Sequence, residues 1–198
     1  MIHYFSQYGE DKWIAENLHP PARGVFVDVG AEDGVVGSNT FHFELAGWTG
    51  ICIEPNPDLQ DELKSRRTCP IVQCAIGPDP SRKFFVHPSK GWSGFDRGGR
   101  EVQVMIRRLD DVLGAYLIGH IDLLSIDTEG AELDVLATLS LESLDPVSRP
   151  DIIVVEHDSP PPLPKIERSL TIFLGTRGYD MVQRTPGNLI FSRRERAV

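Results

Sequence analysis

Val25-Phe-Val-Asp-Val-Gly-Ala-Glu-Asp-Gly34, followed by Gly50-Ile-Cys-Ile-Glu-Pro-Asn56, decides how this chain folds. The first stretch reads as a buried strand running into a glycine turn, the second as another buried strand that ends in an acid. Between them Asn39–Ala46 has the apolar spacing of a helix, which Gly47 ends. Strand, glycine turn, helix and strand form the unit of a doubly wound α/β fold, which binds its ligand at the carboxyl ends of the strands. A dinucleotide site uses G-x-G-x-x-G, so that backbone amides and a helix N-terminus meet a pyrophosphate. Here the spacing is Gly30-x-x-x-Gly34, with Glu32 and Asp33 between the glycines. Acids beside a pyrophosphate repel it, but they suit the sulfonium and ammonium groups of S-adenosylmethionine. Glu54 lies 26 residues after Asp28, near the offset of about 20 at which an acid reaches ribose hydroxyls.

Working outward, Ser6-Gln-Tyr-Gly-Glu-Asp11 reads as a polar loop and helix cap in a lead-in over residues 1–24, with a helix from Asp11 to Leu18. Pro20-Pro21 cannot continue that helix. Pro57–Arg66 predicts a second helix and Ile71–Ile76 a third strand. Over residues 83–106 two strands, Lys83–His87 and Glu101–Ile106, flank a glycine-rich link, 90–100, holding Trp92 and Phe95. That insert is expected near the acceptor side, and could serve a homodimer as well as a substrate. Leu109 starts a helix with Asp110 as N-cap. Ile121–Asp127 predicts a strand, Glu129–Leu139 a helix and Asp151–Glu156 a strand ending in acids. Ser159–Pro164 predicts an irregular loop, Lys165–Gly175 a helix, and Tyr179–Arg184 with Leu189–Ser192 a terminal hairpin. Strands alternating with helices imply a mostly parallel sheet with right-handed crossovers in one domain.

With 198 residues, 40% hydrophobic and 25% charged, the chain is an ordinary globular domain that can bury a core. A net charge of −9 opposes general binding to nucleic acid. The basic pairs Arg66-Arg67, Arg107-Arg108 and Arg193-Arg194 are expected at exposed ends of elements. The first twenty residues hold Glu10, Asp11, Lys12 and Glu16 and no apolar segment of leader length. No apolar run is long enough to span a bilayer, and the cytoplasm is the expected location. Three cysteines at irregular spacing make a disulfide framework improbable, and Cys52 and Cys74 are expected to pack as small buried hydrophobes.

Ser6–Asp11, Val27-Asp-Val-Gly-Ala31, Ser38-Asn-Thr40 and Trp48–Asn56 resemble the FkbM family of S-adenosylmethionine-dependent methyltransferases. Ile126-Asp-Thr-Glu-Gly-Ala-Glu132 resembles that family's D-x-E-G-x-E signature, and the likeness runs from about residue 5 to residue 192. It implies an α/β, Rossmann-like class I methyltransferase fold. That fold has a mostly parallel seven-stranded sheet with an antiparallel last strand, helices on both faces and a small β insertion. It also implies an O-methyltransferase acting on a hydroxyl of a sugar, a glycan or another small molecule.

The expected donor site comprises Asp28, Gly30, Ala31 and Gly34 in the loop, Asn39 after it, Glu54, Pro55 and Asn56 at the second strand, and Asp127 at the end of a later one. The backbone around Ala75 would border adenine, and Gln7, with Gly9 and Asp11, would fold over the methionine moiety or simply cap a helix. Asp127, Glu156 and His157, at neighbouring strand ends, are the candidate acceptor-side catalytic residues. The same three could hold Mg²⁺ or Mn²⁺, because hard cations take such oxygen ligands; catechol-type methyltransferases resemble this arrangement. His157 is the first candidate base, since imidazole titrates near neutrality. Glu129 and Glu132 could instead favour a helix N-terminus, and His87 and Trp92 could face the acceptor. A nucleotide-dependent oxidoreductase is opposed by Glu32 and Asp33, and a non-catalytic binding module by the intact acidic strand ends.

Overall fold

The computed structural model describes residues 3–87, 93–95, 98–141, 149–157 and 166–194. Trp92, Asp158 and the proline-rich run 160–164 lie outside the described residues. In chain order the first half contains α1 (Glu10–Asn17), β1 (Val25–Val29), α2 (Phe41–Leu45), β2 (Thr49–Ile53) and, after a 3-10 turn at Pro57–Leu59, α3 (Gln60–Arg66). Then come β3 (Ile71–Val72), β4 (Ala75–Ile76), β5 (Phe84–Val86), β6 (Gly94–Phe95), β7 (Arg100–Val102) and β8 (Ile106–Arg107). The remainder is α4 (Leu109–Ala115), β9 (Leu123–Ile126), α5 (Glu132–Ala137), β10 (Ile152–Glu156), α6 (Ile166–Gly175), β11 (Tyr179–Arg184) and β12 (Asn188–Arg193).

The main sheet has seven strands in the order β11-β12-β10-β9-β1-β2-β3. β12 is antiparallel to both neighbours, and the pairs from β10 to β3 are parallel. The expected seven-stranded sheet with an antiparallel last strand is therefore present.

Successive side chains of a strand point to opposite faces, and here both faces are covered. Val27, Val29, Ile51, Ile53, Leu124, Ile126, Ile153 and Val155 pack with Val112 of α4, Val135 of α5 and Leu170 of α6. Phe26, Cys52, Leu123 and Val154 pack on the other side with Ile14 of α1, Phe43 of α2 and Leu63 of α3. Being buried on both faces explains why these strands read as continuous apolar runs. Val29 pairs with Ile53 and Ile126, and Ile126 with Val155. Residues 30, 54, 127 and 156 follow that rung in line, with the parity of the α1–α3 face. Pleat and register thus bring one glycine and three carboxylates to a single edge.

Four local expectations need correction. The third strand is broken: Ile71–Val72 joins the main sheet, whereas Ala75–Ile76 pairs with β8 in a separate two-stranded sheet. Cys74 N–H donates to Val72 O, a tight turn that separates the two pieces. The insert is a three-stranded antiparallel sheet, β6-β5-β7, rather than one hairpin. Asp110 does not cap α4; the Leu109 N–H goes to Thr138 Oγ1, and the Asp110 carboxylate accepts from Ser140 N and Oγ. α5 begins at Glu132 and not at Glu129, because Glu129 and Gly130 have left-handed φ of 57° and 100°.

Cys52 and Cys74 are buried, as expected, and all three cysteines are free. Among the described residues no helix is long and apolar enough to cross a membrane. One interior polar contact secures the terminal hairpin: buried Tyr179 donates its hydroxyl to Pro150 O at 2.8 Å. Tyr179→Phe leaves that carbonyl without its donor and should lower the urea-unfolding free energy by about 1–2 kcal/mol; an unchanged midpoint would mean that water replaces the hydroxyl.

Candidate active site

A cleft opens at the carboxyl ends of β1, β2, β9 and β10. Its wall has two characters. Pro55, Leu59, Ala75, Ile76, Phe84 and Phe95 make an apolar end, while Asn39, Ser125, Asp127, Glu129 and Glu156 make a polar, acidic one.

The turn after β1 passes so close to β9 that only glycine fits at position 30. With φ at 88°, a Cβ there would fall 1.6 Å from Asp127 O. Gly30 N–H and Ala31 N–H both donate to Ile53 O, which draws the turn over the end of β2. Glu54 is buried there and is held by two amides, Asn56 N at Oε1 (2.7 Å) and Glu32 N at Oε2 (3.0 Å). Burial pushes its carboxyl up to about 7 despite the two donors, with the Glu32 and Asp28 charges adding to the rise. A carboxylate fixed by amides presents its remaining lone pairs to hydroxyls in the cleft.

Gln7, Asp28, Gly30, Ala31, Asn39, Glu54, Pro55, Ala75, Asp127 and Glu156 all line the cleft. Four other residues do not. Gly34 lies behind the loop, where its φ of 84° and contacts with Leu63 and Arg67 require glycine. Asn56 is buried and caps the 3-10 turn by accepting from Asp58 N. Asp33 turns outward, accepting from Val35 N and Val36 N and pairing with Arg66 at 2.5 Å. His157 has the opposite parity to Glu156, and so faces the α6 side. Its Nε2 donates to Thr185 O at 3.1 Å and its Nδ1 lies 4.0 Å from Glu167. The structure therefore does not bring His157 to the cleft as base or metal ligand.

Asp127, Glu129 and Glu156 do come together, each offering an oxygen within 4.8 Å of the others. Burial, followed by the charges of Glu156, Glu129 and Glu132, holds the Asp127 carboxyl well above the usual carboxylate range. Glu132 serves the backbone, since its Oε1 accepts from Thr128 N, Thr128 Oγ1 and Gly130 N. The turn that carries Glu129 is thereby fixed.

Two supports were not legible in the sequence. Arg67, expected on the surface, has a side chain that is 0% exposed. Its guanidinium pairs with Glu44 and, at 3.4 Å, with Asp28, and donates to Gly34 O and Thr40 Oγ1 at 2.9 Å each. Thr40 Oγ1 in turn donates to Asp28 Oδ2 at 2.6 Å. Phe26 and Phe41 place their rings 5.1 and 5.3 Å from the cation. The loop holding Asn39 is therefore pinned from below. The second support is Glu10, buried and accepting from Tyr8 N, Thr185 Oγ1 and Asn188 Nδ2. Beside it Asp11 accepts from Phe5 N, Ser6 N and Ser6 Oγ. Ser6 also forms a bridge with Gly37, so residues 5–11 are tied to both sides of the cleft with Gln7 in its wall.

The Methyltransferase FkbM domain family matches residues 28–181, most of the chain. The chain belongs to that family. A crystal structure of Methyltransferase FkbM from Methylobacillus flagellatus KT superposes with a TM-score of 0.61 at 15% identity, over 96% of this chain. It covers only 49% of that protein, so the present chain spans about half its length. A TehB-like SAM-dependent methyltransferase from Corynebacterium glutamicum superposes with a TM-score of 0.52 at 11% identity, over 96% of this chain and 89% of its own. At such identities the likeness establishes the shared fold. No curated protein matches the chain.

In this FkbM-family domain the signal for Arg67 and Glu10 is weak, because each stands in a polar run that reads as surface. Arg67→Met should cost about 3–5 kcal/mol in urea unfolding, since it leaves Asp28 and Glu44 buried without their cation; a loss below about 1 kcal/mol would deny the cation that role. Glu54 yields a pH prediction. Its folded pKa lies above the unfolded one, so its stabilising contribution is present below about 4.5 and lost as pH rises through about 7. In ligand-free protein, stability measured against pH should move in favour of Glu54→Gln over wild type by up to about 3 kcal/mol between pH 4.5 and 8. A pH-independent difference would place Glu54 in a better solvated site.

Proposed function

We propose that this domain transfers a methyl group from S-adenosylmethionine to a hydroxyl of a sugar or similar polyhydroxylated acceptor. The observation that carries the reading is the polarity of the cleft across a buried carboxylate. Glu54, fixed by two amides, stands between an apolar end suited to adenine and an acidic end suited to a cation. Asn39 fits the same donor. It is 5% exposed, donates through Nδ2 to Ser125 Oγ, and keeps an Oδ1 without a hydrogen-bond partner in the cleft wall, ready for an ammonium.

The bound donor supplies an electrophilic methyl group. The protein must align an acceptor hydroxyl with it and take or weaken the hydroxyl's proton. Asp127 is the proposed proton acceptor. Its raised carboxyl brings its basicity closer to neutrality, and Glu156 beside it can hold a second hydroxyl of the acceptor. Asp127, Glu129 and Glu156 would also be the ligands of a divalent cation such as Mg²⁺ or Mn²⁺, in place of the set containing His157. Metal-assisted deprotonation would use the same three oxygens, and chelation separates it from metal-free base catalysis.

The decisive experiment is titration of S-adenosylhomocysteine into the protein, followed by an acceptor screen of methylatable glycosides with Mg²⁺, with Mn²⁺ and with EDTA. Micromolar binding is expected, and its absence would remove the donor reading. Asp127→Asn should lower turnover at least about 100-fold and leave S-adenosylhomocysteine affinity within about twofold. Turnover retained in that variant would exclude Asp127 as proton acceptor and as an essential ligand.

A further inference from the structure

The inserted sheet β5–β7 was expected beside the acceptor, but its position in the cleft points elsewhere. Phe84 and Val86 of β5, with Phe95 of β6, pack on Ala75 of β4. Phe84, Gly94 and Phe95 then line the cleft together with Leu59, Ala75 and Ile76. Asp127, directly after β9, and Glu156, the last residue of β10, lie on the other side of β1 and β2. Sugar hydroxyls placed among Leu59, Ile76, Phe84 and Phe95 would lose water without gaining partners. A flat heteroaromatic ring would bury its faces there at no such cost.

We infer, resting on the donor reading above, that the insert is the wall for the donor's adenine and that Phe95 is its stacking residue, with Arg82 as positioning residue. Phe95 is fixed on two sides. Phe84 and Phe95 form a T-shaped pair, with ring centroids 5.9 Å apart at 89°. The Arg82 guanidinium lies over its face, 4.3 Å from the centroid, and is tied to Asp134 of α5 at 2.5 Å. The ring edge also stands 3.5 Å from where a Cβ on Gly77 would lie, an ordinary packing distance from the chain just after β4. Arg82 thereby links the insert to α5, the helix that follows the turn carrying Asp127 and Glu129. Leu59 and Ala75 supply the opposite apolar surface, and Glu54 lies one strand nearer the acids, where the ribose of the same nucleoside would reach it.

The test compares S-adenosylhomocysteine and adenosine as calorimetric ligands of wild type, Phe95→Ala, Phe95→Tyr and Arg82→Met. Phe95→Ala should weaken both ligands by the same factor, about tenfold, the scale of one base–aromatic contact. Phe95→Tyr should restore binding to within about threefold. Arg82→Met should raise the Kd for adenosine and the KM for S-adenosylmethionine about threefold while kcat and the acceptor KM hold, a split that a general loss of folding would not produce. A folded Phe95→Ala variant, checked by melting temperature, that binds both ligands like wild type overturns the inference. An effect confined to acceptor KM overturns it too and returns the insert to the acceptor. Should Phe95→Ala fail to fold, Arg82→Met decides: an unchanged Kd for adenosine with an unchanged KM for S-adenosylmethionine then overturns the inference. A wild-type protein that binds neither ligand sinks the donor reading itself, and with it this inference.

Discussion

Arg67 carries its charge into the interior between β1, α2 and the end of α3, where it meets Asp28 and Glu44. Two carboxylates and two aromatic faces hold the cation, and its remaining donors reach the backbone and hydroxyls of the loop at residues 34–40. A buried charge is costly unless every donor finds a partner, so these contacts admit few alternative arrangements. The glycine turn, Asn39 and the first strand of the sheet are therefore set by one side chain beneath the cleft. The motif residues of the turn can be small, because what locates them lies underneath.

Above that anchor, the pleat does the sorting. Glu54, Asp127 and Glu156 reach one edge because each follows the same rung of paired residues at the same parity. The next residue on β10, His157, is carried to the opposite face by the same rule. Burial at the ends of parallel strands raises the Glu54 and Asp127 carboxyls, and neighbouring acids add to the rise. That electrostatic cost is what a cationic ligand would relieve, and it gives the acidic end of the cleft a preference for positive charge.

The two ends of the chain's polarity are held by separate devices. Glu10 and Asp11 tie the lead-in across the cleft to the turn between β11 and β12 and to the loop at Gly37. On the apolar side, Arg82 holds the inserted sheet to α5. Both are carboxylate contacts between segments far apart in sequence, and both act on the walls of the cleft rather than on its floor.

The sequence by itself determined the central α/β unit, the glycine turn and the acids at strand ends. Those features rest on local patterns: continuous apolar runs mark strands buried on both faces, and a left-handed turn at Gly30 demands glycine. The same local grammar put Glu54, Asp127 and Glu156 at strand ends, while Gln7 and Asn39 came from the family resemblance. Only the tertiary structure decided that Arg67 is interior, that Glu129 replaces His157 among the grouped acids, and that the insert stands over Ala75. Each of these depends on contacts with segments about 10 to 40 residues away or on the parity of a strand end. A charged side chain in a polar run looks solvated until the partners that neutralise it are folded around it.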